Sequence, residues 1–119
     1  MMQANVTVEL RRPSDRVAVI DIQGEITAFA EPQLMDAYTR ATTEGADAIV
    51  LNFAGLDYMN SSGIGLLVTL LIRANRAKVS LLAVELKEHY RHIFELTKLN
   101  EAVKIYDTEA DALAALASN

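Results

Sequence analysis

An α/β fold is what this sequence predicts: a mixed sheet of four to five strands with four helices, in the order β-β-α-β-α-β-α-β-α. Three observations carry that reading. Short apolar runs of strand length recur along the chain, as in Ile49-Val50-Leu51-Asn52-Phe53 and Leu81-Leu82-Ala83-Val84. Longer stretches between them repeat apolar residues at helical spacing, as Leu34, Ala37, Tyr38 and Ala41 do. From the second strand onward the two kinds alternate, which implies parallel pairing through right-handed crossovers.

The elements follow in order. Asn5 to Arg11 alternates Val6, Val8 and Leu10 with Thr7, Glu9 and Arg11, the pattern of a half-buried strand at an edge. Pro13-Ser14-Asp15 is a turn, and Arg16 to Gln23 is a second strand, paired with the first as a hairpin and ended by Gly24. A partly covered crossing with Ile26, Ala28, Phe29 and Ala30 leads to a helix over 31–44, which starts at Glu31-Pro32 and stops at Gly45. Ala48 to Phe53 is a buried strand, and Ala54 to Met59 a loop leading into the central helix. With Asn60 as N-cap, Met59 and Ile64 hold the positions of a hydrophobic staple.

From Ile64 to Ile72 this helix is apolar nearly all round, so neighbouring helices or a partner must cover what one sheet cannot. It ends at Asn75 to Ala77. Lys78 to Val84 is a strand, and 87–97 a helix with the stripe Tyr90, Ile93, Phe94 and Thr97. Val103 to Tyr106 is a short strand, and Thr108 to Ala117 a last helix whose Thr108 and Asp111 approximate a capping box.

Composition bounds the function. The 119 residues are 51% hydrophobic and 23% charged, with 5 Gly and 2 Pro, which predicts one packed domain over 1–119. The chain has no cysteine, and Met1-Met2-Gln3-Ala4 lacks the basic start of a leader, so a cytoplasmic location is expected. The longest apolar run is about half of a membrane span, which predicts no membrane insertion. A net charge of -5, with basic residues scattered, disfavours direct nucleic-acid binding.

Chemistry concentrates at Asn60-Ser61-Ser62-Gly63. Two hydroxyls at a helix start lie beside orphan N–H groups and the positive end of the helix dipole, a setting hospitable to an anionic oxygen or phosphate. A serine nucleophile lacks its elbow, since Met59 and Asn60 stand two before Ser61 and Ser62. His89 and His92, three apart with Glu88 and Glu95 nearby, could share a helix face as a metal pair would but lack the HExxH spacing and any cysteine, and Gly63-Ile64-Gly65 is neither a dinucleotide fingerprint nor a phosphate loop. Neither a catalytic residue, a metal nor a cofactor is expected. The glycines instead let the first turn approach another backbone closely.

Taken together, the sequence resembles the STAS domain, and within it the bacterial anti-sigma factor antagonists. Gly24-Glu25-Ile26-Thr27 stands where the family has Gly-Glu-Leu-Asp. Leu51-Asn52-Phe53, then Leu56 through Gly65, is similar to the family's strand, loop and Asp-Ser-Ser-Gly-Leu-Gly helix start. Tyr90 to Leu99 is similar to its third helix. Asn60, Thr27 and Lys98 replace Asp, Asp and Gly of the family pattern; Asn caps a helix as well as Asp does.

The resemblance implies a non-enzymatic module that binds an anti-sigma factor serine kinase and frees a sigma factor. It implies Ser61 as the phosphorylation site, with a phosphatase resetting the cycle, and it leaves room for a homodimer. The expected partner surface is Thr27, Tyr58, Met59, Asn60, Ser61, Ser62, Gly63 and Ile64. Two other readings compete: an unphosphorylated STAS scaffold or assembly subunit held through the surplus apolar face of the central helix at Leu66 and Leu70, and a nucleotide or small-molecule binder at the helix mouth.

Overall fold

A computed structural model describes residues 5–118. The Met1–Ala4 start and the outer limits expected for the domain lie outside the described residues. The elements are β1 (Val6–Arg11), β2 (Val17–Ile26), a 3-10 turn (Ala28–Ala30), α1 (Glu31–Thr43), β3 (Ala48–Met59) and α2 (Ser61–Arg76). β4 (Ser80–Val84), α3 (Glu88–Leu96), a second 3-10 turn (Leu99–Glu101), β5 (Lys104–Tyr106) and α4 (Glu109–Ala117) complete the chain. One five-stranded sheet runs β1-β2-β3-β4-β5. β1 pairs antiparallel with β2, and every other pair is parallel, as the alternation of elements predicts.

The central strands are apolar on both faces because both faces are covered. Ala18, Ile20 and Ile22 of β2, Ile49, Leu51 and Phe53 of β3, and Leu81 and Ala83 of β4 share a core with Leu34 and Tyr38 of α1, Leu67 and Leu70 of α2, and Phe94 of α3. The intervening Val19, Val50, Leu82 and Val84 pack on the opposite face around Ala112 of α4. Three helices therefore cover one face and a single short helix the other. Phe53 and Phe94 meet edge to face with ring centroids 6.3 Å apart.

Three local expectations are corrected. Gly24 does not end β2: it sits inside the strand at φ +95°, where a Cβ would come within 2.4 Å of the Asn5 carbonyl oxygen, and the strand runs on to Ile26. That extension gives the 54–59 segment, expected as a loop, a partner to pair with. Gln23, Gly24, Glu25 and Ile26 align with Gly55, Leu56, Tyr58 and Met59, with register shifts on either side of Gln23 and Gly24. The shifts break the period-of-two pattern, which hides the strand from a periodicity reading.

The third correction concerns α2. Leu66 and Leu70 do not form a surplus outer face; both are buried in the core, and of the large apolar residues of α2 only Ile72 is exposed. Neighbouring elements account for much of the cover. Arg73 lies over the Tyr38 ring of α1, 4.7 Å from its centroid, and donates to Thr39 Oγ1 at 2.9 Å. In α3, Tyr90 and Phe94 are buried and Ile93 is half-buried, but Thr97 is exposed and turns its hydroxyl back to the Ile93 carbonyl.

Candidate functional site

The mouth of α2 is built by strand pairing, a cap and a close backbone crossing. β3 ends at Met59 beside Ile26, and the Asn60 N–H donates to the Ile26 carbonyl at 3.3 Å. Asn60 is extended and its Oδ1 accepts from the Gly63 N–H at 2.9 Å, while its carbonyl accepts from Ile64 N–H at 3.0 Å. Asn60 is thus the N-cap the sequence predicts. Two of the four orphan N–H groups are thereby used. Those of Ser61 and Ser62 make no hydrogen bond among the described residues, and both side chains are exposed.

The two glycines play different parts. A Cβ on Gly63 would lie 2.1 Å from the Ile26 carbonyl oxygen and 2.9 Å from Met59 Cγ, so only glycine lets the first turn rest on the end of β2. The close approach expected of this pair is real there. At Gly65 it is not: a Cβ would meet nothing within 4 Å. Gly65 is exposed and lies one turn beyond Ser61 on the same helix face, leaving bare backbone beside the hydroxyl.

The other expected residues divide between support and surface. Met59 is buried, and Ile64 packs half-buried on the same core, the positions a hydrophobic staple needs. Thr27 caps the first 3-10 turn, its Oγ1 accepting from the Phe29 N–H at 3.2 Å. Tyr58 points outward and is 48% exposed. The arrangement also uses residues the sequence reading missed. Phe29, on the turn capped by Thr27 that follows the end of β2 and leads into α1, is 46% exposed, a second outward aromatic in addition to Tyr58.

Two side chains at the start of α3 fix the extension of β3 from beneath. The Tyr90 hydroxyl accepts from the Met59 N–H at 3.0 Å in a buried position, and Lys87 Nζ donates to the Leu56 carbonyl at 2.9 Å. Tyr90 reads in the sequence only as part of an apolar stripe, because nothing local announces that its hydroxyl reaches a strand end 31 positions earlier. His89 and His92 are exposed on the same helix, and among the described residues no three His, Asp or Glu side chains gather as a metal site would require.

A five-stranded mixed sheet carries three helices on one face and one on the other, with a glycine-floored helix mouth at the end of its central strand, which defines an α/β module. Residues 10–112 match the model of the STAS domain, and the chain belongs to this family. The anti-sigma-B factor antagonist of Staphylococcus aureus (strain NCTC 8325 / PS 47) is 25% identical over 91 residues, covering 76% of this chain and 84% of that one.

Among solved structures, the anti-sigma factor antagonist SpoIIAA in its unphosphorylated form superposes with a TM-score of 0.76 at 21% identity, over 95% of this chain and 100% of that one. SpoIIAA of Bacillus in the phosphorylated form gives 0.72 at 22% identity over 92% and 99%. An anti-sigma factor antagonist from Mycobacterium paratuberculosis gives 0.76 at 23% identity over 96% and 97%. The fold expected from the resemblance is borne out. No helix among the described residues is long and apolar enough to cross a membrane.

Proposed function

We propose that this chain is an anti-sigma factor antagonist: a protein-binding module that docks on an anti-sigma factor serine kinase and is released when that kinase phosphorylates Ser61. The observation that carries the reading is the exposed Ser61 on the first turn of α2, next to two N–H groups without partners among the described residues. The antagonist names of its relatives and of the solved structures it superposes on support the same partner class.

A phosphate on Ser61 adds about -1.5 to -2 charges at neutral pH. The free N–H groups and the helix dipole can accommodate it without disturbing the core, which begins at Gly63 and Leu66. A partner seated over the mouth meets instead an added hydrated dianion. That SpoIIAA has been solved with this fold in both unphosphorylated and phosphorylated forms is consistent with a local, electrostatic switch. Asn60, which stands where the family has Asp, still caps the helix through its Oδ1.

Thr27, Tyr58, Asn60, Ser61, Ser62, Gly63 and Ile64 then form or shape the partner surface, with Met59 holding it from below and Phe29 as an added contact. A constitutive scaffold joined through Leu66 and Leu70 is disfavoured, since neither reaches the surface.

The test is incubation with ATP and a kinase-type anti-sigma factor encoded beside this chain, read by intact mass and peptide mapping. One phosphate on Ser61 that is absent in Ser61→Ala, together with loss of kinase binding in Ser61→Asp, is the expected result. Undiminished binding of Ser61→Asp, or phosphate elsewhere, would overturn the reading.

A further inference from the structure

The opposite end of the sheet has an opening that the Ser61 switch does not use. β5 has three residues against five in β4, and their ladder begins only at Leu82 and Lys104, so Ser80 and Leu81 have no strand beside them on that side. The Ser80 N–H donates to the Asp47 carbonyl next to β3, at 3.0 Å. Alternation along the strand turns the Leu81 N–H the other way, toward the uncovered side. It has no acceptor there among the described residues, although Leu81 is buried.

The gap is a cleft of about 350 Å³ between the end of α2, the starts of β4 and β5, and the last turn of α4. Leu71 and Leu116 supply apolar walls, and Asn75, Lys78, Ser80 and Lys104 supply polar ones. In a chain with 16 acidic residues and a net charge of -5, no Asp or Glu among the described residues lines this cleft. Neither lysine forms an ion pair or side-chain hydrogen bond among the described residues. Lys78 also holds a left-handed backbone, φ +60°, at the end of α2, where glycine is the unstrained choice. A strained lysine, a second lysine, an unpartnered N–H and apolar walls converge on one cleft.

We propose that this cleft binds a small organic anion, with its carboxylate or phosphate head held by Lys78, Lys104 and the Leu81 N–H and a short apolar body against Leu71 and Leu116. An ionised head gains charge-assisted hydrogen bonds, and the body removes apolar wall from water. This site is independent of Ser61: α2, 16 residues and about 24 Å long, separates the two.

The test uses the full chain labelled with ¹⁵N, titrated separately with octanoate, phenyl phosphate and inorganic phosphate. Saturable amide shifts at Ser80, Leu81 and Lys104 with octanoate or phenyl phosphate are expected, and which of them binds more tightly identifies the preferred head. Inorganic phosphate should bind at least about tenfold more weakly, for want of the apolar contact. Lys78→Gly should raise the melting temperature yet weaken binding, and Lys78→Glu with Lys104→Glu should abolish it while leaving distant resonances in place. No saturable shift with either organic anion, equal binding of inorganic phosphate, or shifts that survive the double charge reversal would each overturn the proposal.

Discussion

Gly63 and Gly65 are two positions apart and answer to opposite physics. At Gly63 a methyl group would be driven into the Ile26 carbonyl, and neither the strand end nor the first helical turn can yield without breaking the Asn60 cap. Gly63→Ala should therefore destabilise the fold by about 3 kcal/mol or more, at the upper end of overpacking effects. At Gly65 the space is open, so Gly65→Ala should stabilise the domain by about 0.5–1 kcal/mol through helix propensity alone. The same methyl stands one turn from Ser61 on the proposed docking face. Phosphorylation of Ser61 should slow by about fivefold or more, the equivalent of roughly 1 kcal/mol. Urea unfolding and single-turnover kinase assays separate the two effects, and a Gly65→Ala protein that is more stable but phosphorylated at the wild-type rate would remove Gly65 from the docking face.

Among the elements, the extension of β3 has the most demanding support. Its last residue, Met59, sends its N–H to the Tyr90 hydroxyl on α3 rather than to a strand, in a place water does not reach. Tyr90→Phe leaves that buried donor without an acceptor and should cost about 1–3 kcal/mol. Because the lost bond lies directly before the Asn60 cap, hydrogen exchange should accelerate at Met59, Gly63 and Ile64 more than in the β2 to β4 core. Uniform acceleration across the sheet would mean that Tyr90 acts only through general packing. No local pattern marks this contact. The segment from Ala54 to Met59 looks like a loop because two register shifts interrupt the alternation of buried and exposed residues, and its identity as strand depends on β2 continuing past a glycine with positive φ.

For the whole molecule, one ionic cluster ties the singly covered face together. Arg11 of β1 pairs with Asp21 of β2 and with Glu109 at the start of α4, each at 2.6 Å, and Asn52 of β3 donates to Glu109 at 3.0 Å. The Arg11 hydrogen bond, opposed by partial burial and helped by Asn52, holds the Glu109 carboxyl below its ordinary value of 4.5. A carboxylate depressed in the folded state binds fewer protons there than in the unfolded chain. Its contribution is complete above the ordinary value and is lost as pH falls through the lower folded one. Glu109→Gln should thus be less stable than the native chain at neutral pH and show a flatter decline on acidification, the two curves converging at low pH. Urea midpoints measured across that range check it, and parallel curves would assign the acid sensitivity to other carboxylates.

The sequence by itself determined the order of elements, the parallel pairing after an initial hairpin, the Asn60 cap and the placing of Ser61 on the first turn of α2. These follow from hydrophobic period, turn residues and capping preference, all of which act over a few neighbouring positions. Tertiary structure alone decided how far β2 and β3 run, why Gly63 is obligatory while Gly65 is not, that Leu66 and Leu70 face inward, and that Tyr90 braces Met59. Each of these depends on groups brought together from distant parts of the chain, and a pattern read along one strand or helix has no access to what lies across the gap.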